Sequence, residues 1–135
     1  MPDEPPIIAL IGVPQDEVES IEALLDERAD PPLLVVADDL ADGRSLIADL
    51  AAGRGEPPQL VVIGARIPTE ARAELLARLR RDQRLVAVQV LVLGTADRDG
   101  RLRAHPGVTV LPRPTSYAAF EALGAAVRDA LASAT

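Results

Sequence analysis

The chain has no cysteine and no tryptophan, and only one tyrosine, one phenylalanine and one histidine. Without thiols there is no disulfide, thiolate nucleophile, zinc-thiolate site or iron–sulfur cluster. The lone His105 cannot build a histidine-rich metal site. Positive charge is also short: 14 Lys and Arg stand against 21 Asp and Glu, a net charge of −7. Nucleic-acid affinity comes largely from cations on phosphates, so that partner is disfavoured, as is an anionic membrane surface. The scarcity of aromatics argues against a single-strand stacking platform. The start, Met1-Pro2-Asp3-Glu4-Pro5-Pro6, lacks the basic n-region and long apolar run of a secretory signal. No apolar stretch is long enough to span a bilayer. The expected setting is the cytoplasm.

What is present is aliphatic. Hydrophobic residues make up 48% of 135 residues, enough for the core of one domain, residues 1–135. Short apolar runs alternate with amphipathic segments. Ile7 through Val13 reads as a buried strand closed by Pro14, and residues 15–28 as a helix with Val18, Ile21, Leu24 and Leu25 on one face. Leu33-Leu34-Val35-Val36-Ala37 is a second strand, followed by a helix over 40–52. Leu60-Val61-Val62-Ile63 is a third, followed by a helix that Thr69 would cap, with Leu75, Leu76 and Leu79 as its stripe. Residues 88–93 form a fourth strand, 97–104 a short weak helix, and Val108 to Leu111 a fifth strand. Ser116 would cap the last helix, which turns Phe120, Leu123, Val127 and Leu131 inward. Near-continuous apolar strands imply a parallel sheet covered on both faces. With right-handed crossovers this is an α/β three-layer, doubly wound sandwich whose ligands would gather at the carboxyl ends of the strands.

Three stretches sharpen this pattern. Leu60 to Pro68 carries a strand closed by Gly64, four residues before a proline. Arg81-Asp82-Gln83-Arg84-Leu85-Val86-Ala87-Val88-Gln89-Val90-Leu91-Val92-Leu93 leads into the fourth strand, and Leu111-Pro112-Arg113-Pro114 follows the fifth. Together they resemble the response-regulator receiver family over the whole chain, and the second stretch is similar to phytochrome-associated single-domain members. The resemblance implies the flavodoxin-like receiver fold, five parallel strands in the order 2-1-3-4-5. It also implies a cis peptide at Pro114, and a homodimer through the face made by the helix after strand four, strand five and the last helix. A stand-alone receiver is the expectation.

The resemblance also shows what is missing. Receiver phosphotransfer uses two carboxylates after strand one to hold Mg²⁺ and a third after strand three to attack the phosphoryl group. Matching Pro14 to the family's proline puts the acidic pair at Ile11 and Gly12, and the phosphoacceptor falls at Gly64. None carries an anionic oxygen, and a hard cation needs oxygen ligands. The Ser/Thr switch position falls at Gly94, with Thr95 one step later. The aromatic switch falls at Val110, and the family's lysine at Arg113. The expectation is a pseudo-receiver: no enzyme, no catalytic residue, no metal and no cofactor. It would act through a protein partner, a histidine kinase or another signalling protein, and as a homodimer with Tyr117, Phe120, Gly124 and Val127 in its interface.

Other readings compete. Gly12, Gly64 and Gly94 could leave the rim open for a small molecule or anion near Arg113, making the chain a ligand binder or a small enzyme; the plainer reading is that Arg113 lies over the vacant pocket or pairs with an acid. Asp16, Glu17, Asp38 and Asp39 could rebuild a cation site, and Asp16, Asp38 or Asp39 could supply a substitute phosphoacceptor. The plainer reading is helix-start and loop charges. Arg78 to Arg81 reads as a solvated basic helix end, and His105-Pro106-Gly107 as a turn.

Overall fold

A computed structural model of the chain describes residues 6–26, 32–94, 107–113 and 115–133. Nine elements follow one another there: β1 (Ile7–Ile11), α1 (Gln15–Asp26), β2 (Leu33–Ala37), α2 (Leu40–Ala51), β3 (Leu60–Ile63), α3 (Thr69–Arg81), β4 (Gln89–Leu93), β5 (Val108–Leu111) and α4 (Tyr117–Ser133). The five strands form one parallel sheet in the order β2-β1-β3-β4-β5, as the expected fold requires. The weak helix expected over 97–104, Thr95, His105 and Pro114, where a cis peptide is expected, all lie outside the described residues.

Alternate strand residues feed two apolar layers. Ala9, Ile11, Val61, Ile63, Val90 and Val92 point to one face, where α2 and α3 bring Ile47, Leu75, Leu76 and Leu79. Ile8, Leu10, Leu60, Val62, Leu91 and Leu93 point to the other, under α1 and α4 with Ile21, Leu25, Leu123 and Val127. Each fully buried aliphatic side chain contributes roughly 1.5–3 kcal/mol relative to exposure, so the strands are held mainly by this burial on both faces.

The helix starts are fixed locally. Asp39 is the N-cap of α2, its side chain accepting from the Asp42 amide at 2.9 Å. Ser116 Oγ accepts from the Ala119 amide at 3.2 Å and caps α4 as expected. Thr69 does not cap α3. The N-cap is Pro68, without a side-chain bond; its carbonyl accepts from the Arg72 amide at 3.0 Å, so the helix begins one residue earlier than a threonine cap requires. At the other end of α3, Arg80 is more than a solvated cation: its Nη1 donates to the Val86 and Val88 carbonyls and fixes the approach to β4.

Candidate functional site at the strand ends

The register aligns the candidate positions. Ile11 sits beside Ala37 of β2 and Ile63 of β3, and Leu93 beside Leu111. Gly12, Gly64 and Gly94 are therefore each the first residue past a strand, at the rim where the sheet topology puts its ligands. The loops are laced together there. The Gly12 amide donates to the Ala37 carbonyl, Gly64 to Ile11, Arg66 to Gly12 and Gly94 to Leu111, all at 2.8–2.9 Å.

Among the described residues, the space in front of the three rim glycines is already taken, against the expectation that they leave it open. A Cβ built on Gly12, whose φ is +65°, would lie 2.5 Å from Ile67 Cγ1 and 2.6 Å from its Cδ1. A Cβ on Gly64 would lie 2.6 Å from both the Gly12 carbonyl oxygen and the Val13 Cα. A Cβ on Gly94, φ +80°, would lie 2.5 Å from Arg113 Cγ. The glycines do not leave cavities; Ile67, Val13 and Arg113 already occupy the space. Ile67 and Val13 are buried and continue the two core layers up to the strand ends.

Ile11, the other acidic position of the resemblance, points into the α2–α3 layer and is fully buried. Its Cγ2 would be 2.6 Å from a Cβ on Gly43, so that glycine lets α2 approach the end of β1. Arg72, itself buried, donates from Nε to the Ile67 carbonyl at 3.0 Å and so holds the loop that carries Ile67. Its burial pulls the guanidinium pKa below the usual range.

Among the described residues the rim carries an ion pair. Arg113 reaches from the β5–α4 loop to Glu17 in the first turn of α1, its Nε 3.0 Å and its Nη2 2.5 Å from Glu17 Oε2. The Glu17 side chain is 4% exposed and that of Arg113 44%. The hydrogen bond and charge of Glu17 push the Arg113 pKa further up, with a smaller contribution from Asp16. Arg113 thus pairs with an acid, as the plainer reading held. Glu17 needs correcting: it is not a solvated helix-start charge, because it is buried beneath the arginine, with Oε1 lacking any hydrogen-bond partner.

Asp39 is spent as a cap, and Asp16 and Asp38 are exposed. Among the described residues no group of three or more His, Asp or Glu side chains is placed to hold a metal ion, so the rebuilt cation site finds no support there. Among the described residues no helix is long and apolar enough to cross a membrane.

The proposed interface residues separate. Tyr117 is 79% exposed and Phe120 half-buried. Val127 is buried against the sheet and has no surface to offer a partner. Gly124 is explained within the chain: a Cβ there would be 3.2 Å from Leu24 Cδ2 of α1. Sequence reading missed Ile67, Val13 and Gly43. A signal existed for the first two, since each is an apolar residue directly before a helix-starting proline, Val13-Pro14 and Ile67-Pro68.

No family model matches the chain, and no curated protein matches it. Solved structures do. The signal receiver domain of an HD domain-containing protein from Pseudomonas fluorescens Pf-5 is 21% identical with a TM-score of 0.72, covering 97% of this chain and 98% of its own. The phosphorylated cyanobacterial phytochrome response regulator RcpA is 18% identical with a TM-score of 0.76, covering 98% of each chain. A response regulator in its Mn²⁺-bound form is 18% identical with a TM-score of 0.68, covering 90% of this chain and 91% of its own. At such identities the likeness is one of backbone architecture, and it extends from end to end. This chain therefore has the flavodoxin-like fold of response-regulator receiver domains, phytochrome-associated ones among them.

Proposed function

We propose that the chain is a receiver-like signalling module that acts by binding other proteins and does not take up a phosphoryl group. The observation that carries this reading is the filled rim. Ile67 stands over Gly12, the β1–α1 turn stands over Gly64, and Arg113 stands over Gly94. A phosphoryl group needs a carboxylate to receive it and a hard cation to neutralise its charge. Neither RcpA, solved phosphorylated, nor the Mn²⁺-bound regulator lends those properties to this rim by likeness of fold.

The ion pair supports the same reading. Arg113, at the position of the family's lysine, already has an anion in Glu17. Glu17 is part of the chain, so the contact between the β5–α4 loop and α1 does not wait for a phosphate. Regulation then passes to partner binding, self-association or abundance. In this reading the module is cytoplasmic, is no enzyme, and needs neither metal nor cofactor. Its partner is a histidine kinase or another signalling protein, and it pairs with a second copy of itself.

The test is incubation with acetyl phosphate and Mg²⁺, followed by intact-mass measurement. The reading expects an unmodified chain. A stoichiometric acyl-phosphate adduct on any aspartate, Asp16, Asp38 and Asp39 included, contradicts it.

A further inference from the structure

A groove of about 210 Å³ lies between the C-terminal halves of α2 and α3. Helix α3 begins just past the rim and runs away from it, so the groove is at the opposite end of the fold from Gly12, Gly64 and Gly94. Its α2 wall is small and apolar, made by Ile47, Ala48 and Ala51. Its α3 wall is charged, made by Arg78, Arg81 and Asp82. A solvated basic helix end accounts for those arginines but not for the apolar wall across from them.

The acids nearby already have partners. Glu74 is held by Arg44 through two hydrogen bonds. Asp49 meets Arg54 at 3.0 Å, and one oxygen of Asp82 accepts from the Arg84 amide at 2.8 Å. Arg78 is left 3.9 Å from Glu74, with its side chain 44% exposed. Arg81 is exposed, and among the described residues it makes no ion pair. The guanidinium of Arg84 lies against the turn after α2, its Nη1 3.0 Å from where a Cβ on Gly53 would stand. On a chain of net charge −7, this end carries a local surplus of positive charge.

The pattern selects an occupant. Nucleic acid binds through many cations along its backbone, and here it would meet a chain that is negative overall. A free inorganic anion would leave the apolar wall unused. A carboxylate suits a guanidinium, which can grip both of its oxygens. An aliphatic side chain suits a wall of alanine and isoleucine. Protein interfaces combine the same parts, arginine beside an apolar centre.

We infer that this groove docks an acidic segment of a partner protein, with an aliphatic side chain against Ile47, Ala48 and Ala51 and carboxylates on Arg78 and Arg81. The inference rests on the reading of the chain as a protein-binding module and names the chemistry of the segment it takes.

The experiment is fluorescence anisotropy of a labelled peptide of alternating glutamate and leucine, titrated with the full chain. The titration belongs near physiological ionic strength, where screening over about 8 Å suppresses the long-range repulsion of the net charge. One control peptide carries lysine for every glutamate, and another carries glycine for every leucine. The chain is used as wild type and as the double variant Arg78→Glu, Arg81→Glu, and both are melted to verify the fold. The wild type is expected to bind the glutamate–leucine peptide saturably and the lysine peptide at least about tenfold more weakly. Losing the leucines should weaken binding at least about fivefold. The double reversal should invert the preference between glutamate and lysine, a result that an unfolded variant does not give. No saturable binding at millimolar chain, equal binding of the two charged peptides, or a preference that survives the double reversal overturns the proposal. So does a glutamate–glycine peptide that binds as well, or inorganic phosphate that competes at the peptide's own concentration, because either makes the cluster a bare anion site. None of these outcomes bears on whether the rim takes up a phosphoryl group, so this proposal and the reading it rests on fail separately.

Discussion

A side chain at position 64 has nowhere to go. The first atom beyond the Gly64 backbone would meet the Gly12 carbonyl oxygen and the Val13 Cα at 2.6 Å, and backbone cannot swing aside as a side chain can. Gly64→Asp should therefore destabilise the chain by at least about 3 kcal/mol, the upper range for overpacking, and should not create a phosphoacceptor. A denaturant titration with and without acetyl phosphate checks both halves. The Glu17–Arg113 pair is asymmetric in the same physical sense. Removing Arg113 leaves a carboxylate that is 4% exposed without its cation, whereas removing the Glu17 charge leaves a guanidinium that is 44% exposed and can meet water. Arg113→Ala should accordingly lower the unfolding midpoint more than Glu17→Gln does; equal losses would mean that Glu17 is better solvated than its burial implies. Sequence alone gave half of this site. By resemblance it placed the family's acidic positions at Ile11, Gly12 and Gly64, none of which carries an anionic side-chain oxygen. It could not show that Ile67 and Val13 fill the space, or that Glu17 meets a residue 96 positions away, because those contacts are made only when loops from different strands meet.

At the scale of the elements, strands were easier to read than helix ends. A strand buried on both faces is a nearly unbroken apolar run, so Ile7–Ile11 and Leu60–Ile63 stand out by composition, and the edge strands Leu33–Ala37 and Val108–Leu111 are nearly as apolar although less covered. A cap depends on which group meets the first free amides. Ser116 and Asp39 do so with side chains, but at α3 the Pro68 carbonyl does so and Thr69 falls inside the helix. The link between α2 and α3 was not legible either: Arg44 donates from Nε and Nη2 to the two oxygens of Glu74 at 2.8 and 2.9 Å, across 30 positions. The hydrogen bond from Arg44 holds the Glu74 pKa below its ordinary value of about 4.5. A depressed carboxylate stabilises the fold above its unfolded pKa and loses that contribution as pH falls through the folded one. The stability gap between wild type and Glu74→Gln should therefore be constant from neutral pH down to about 4.5 and close below it. Both side chains are more than a third exposed, so the gap is small and shrinks with salt. Thermal melts of the two proteins across an acid series read it directly.

For the whole molecule, the two apolar layers and the rim are one structure. Ile11 and Ile67 belong to the α2–α3 layer and Val13 to the α1–α4 layer, so the core runs out to the point where a receiver would keep its acids. The edge strand β2 is the exception to good covering. Leu33, Val35 and Val36 are exposed there, and Asp38 and Asp39 follow directly as charges that discourage edge-to-edge pairing. The backbone architecture is shared with receiver domains at 18–21% identity; in the reading proposed above, the positions where a receiver keeps its phosphoryl chemistry are packing positions here. The direct test is a titration of the isotope-labelled chain with Mg²⁺ and beryllofluoride, a phosphoryl mimic, followed through the amide resonances of Gly12, Gly64 and Gly94. A filled rim predicts that these three signals stay in place up to millimolar additions. Saturable shifts at all three would show a rim that opens to a metal and a phosphoryl group, and would contradict the account.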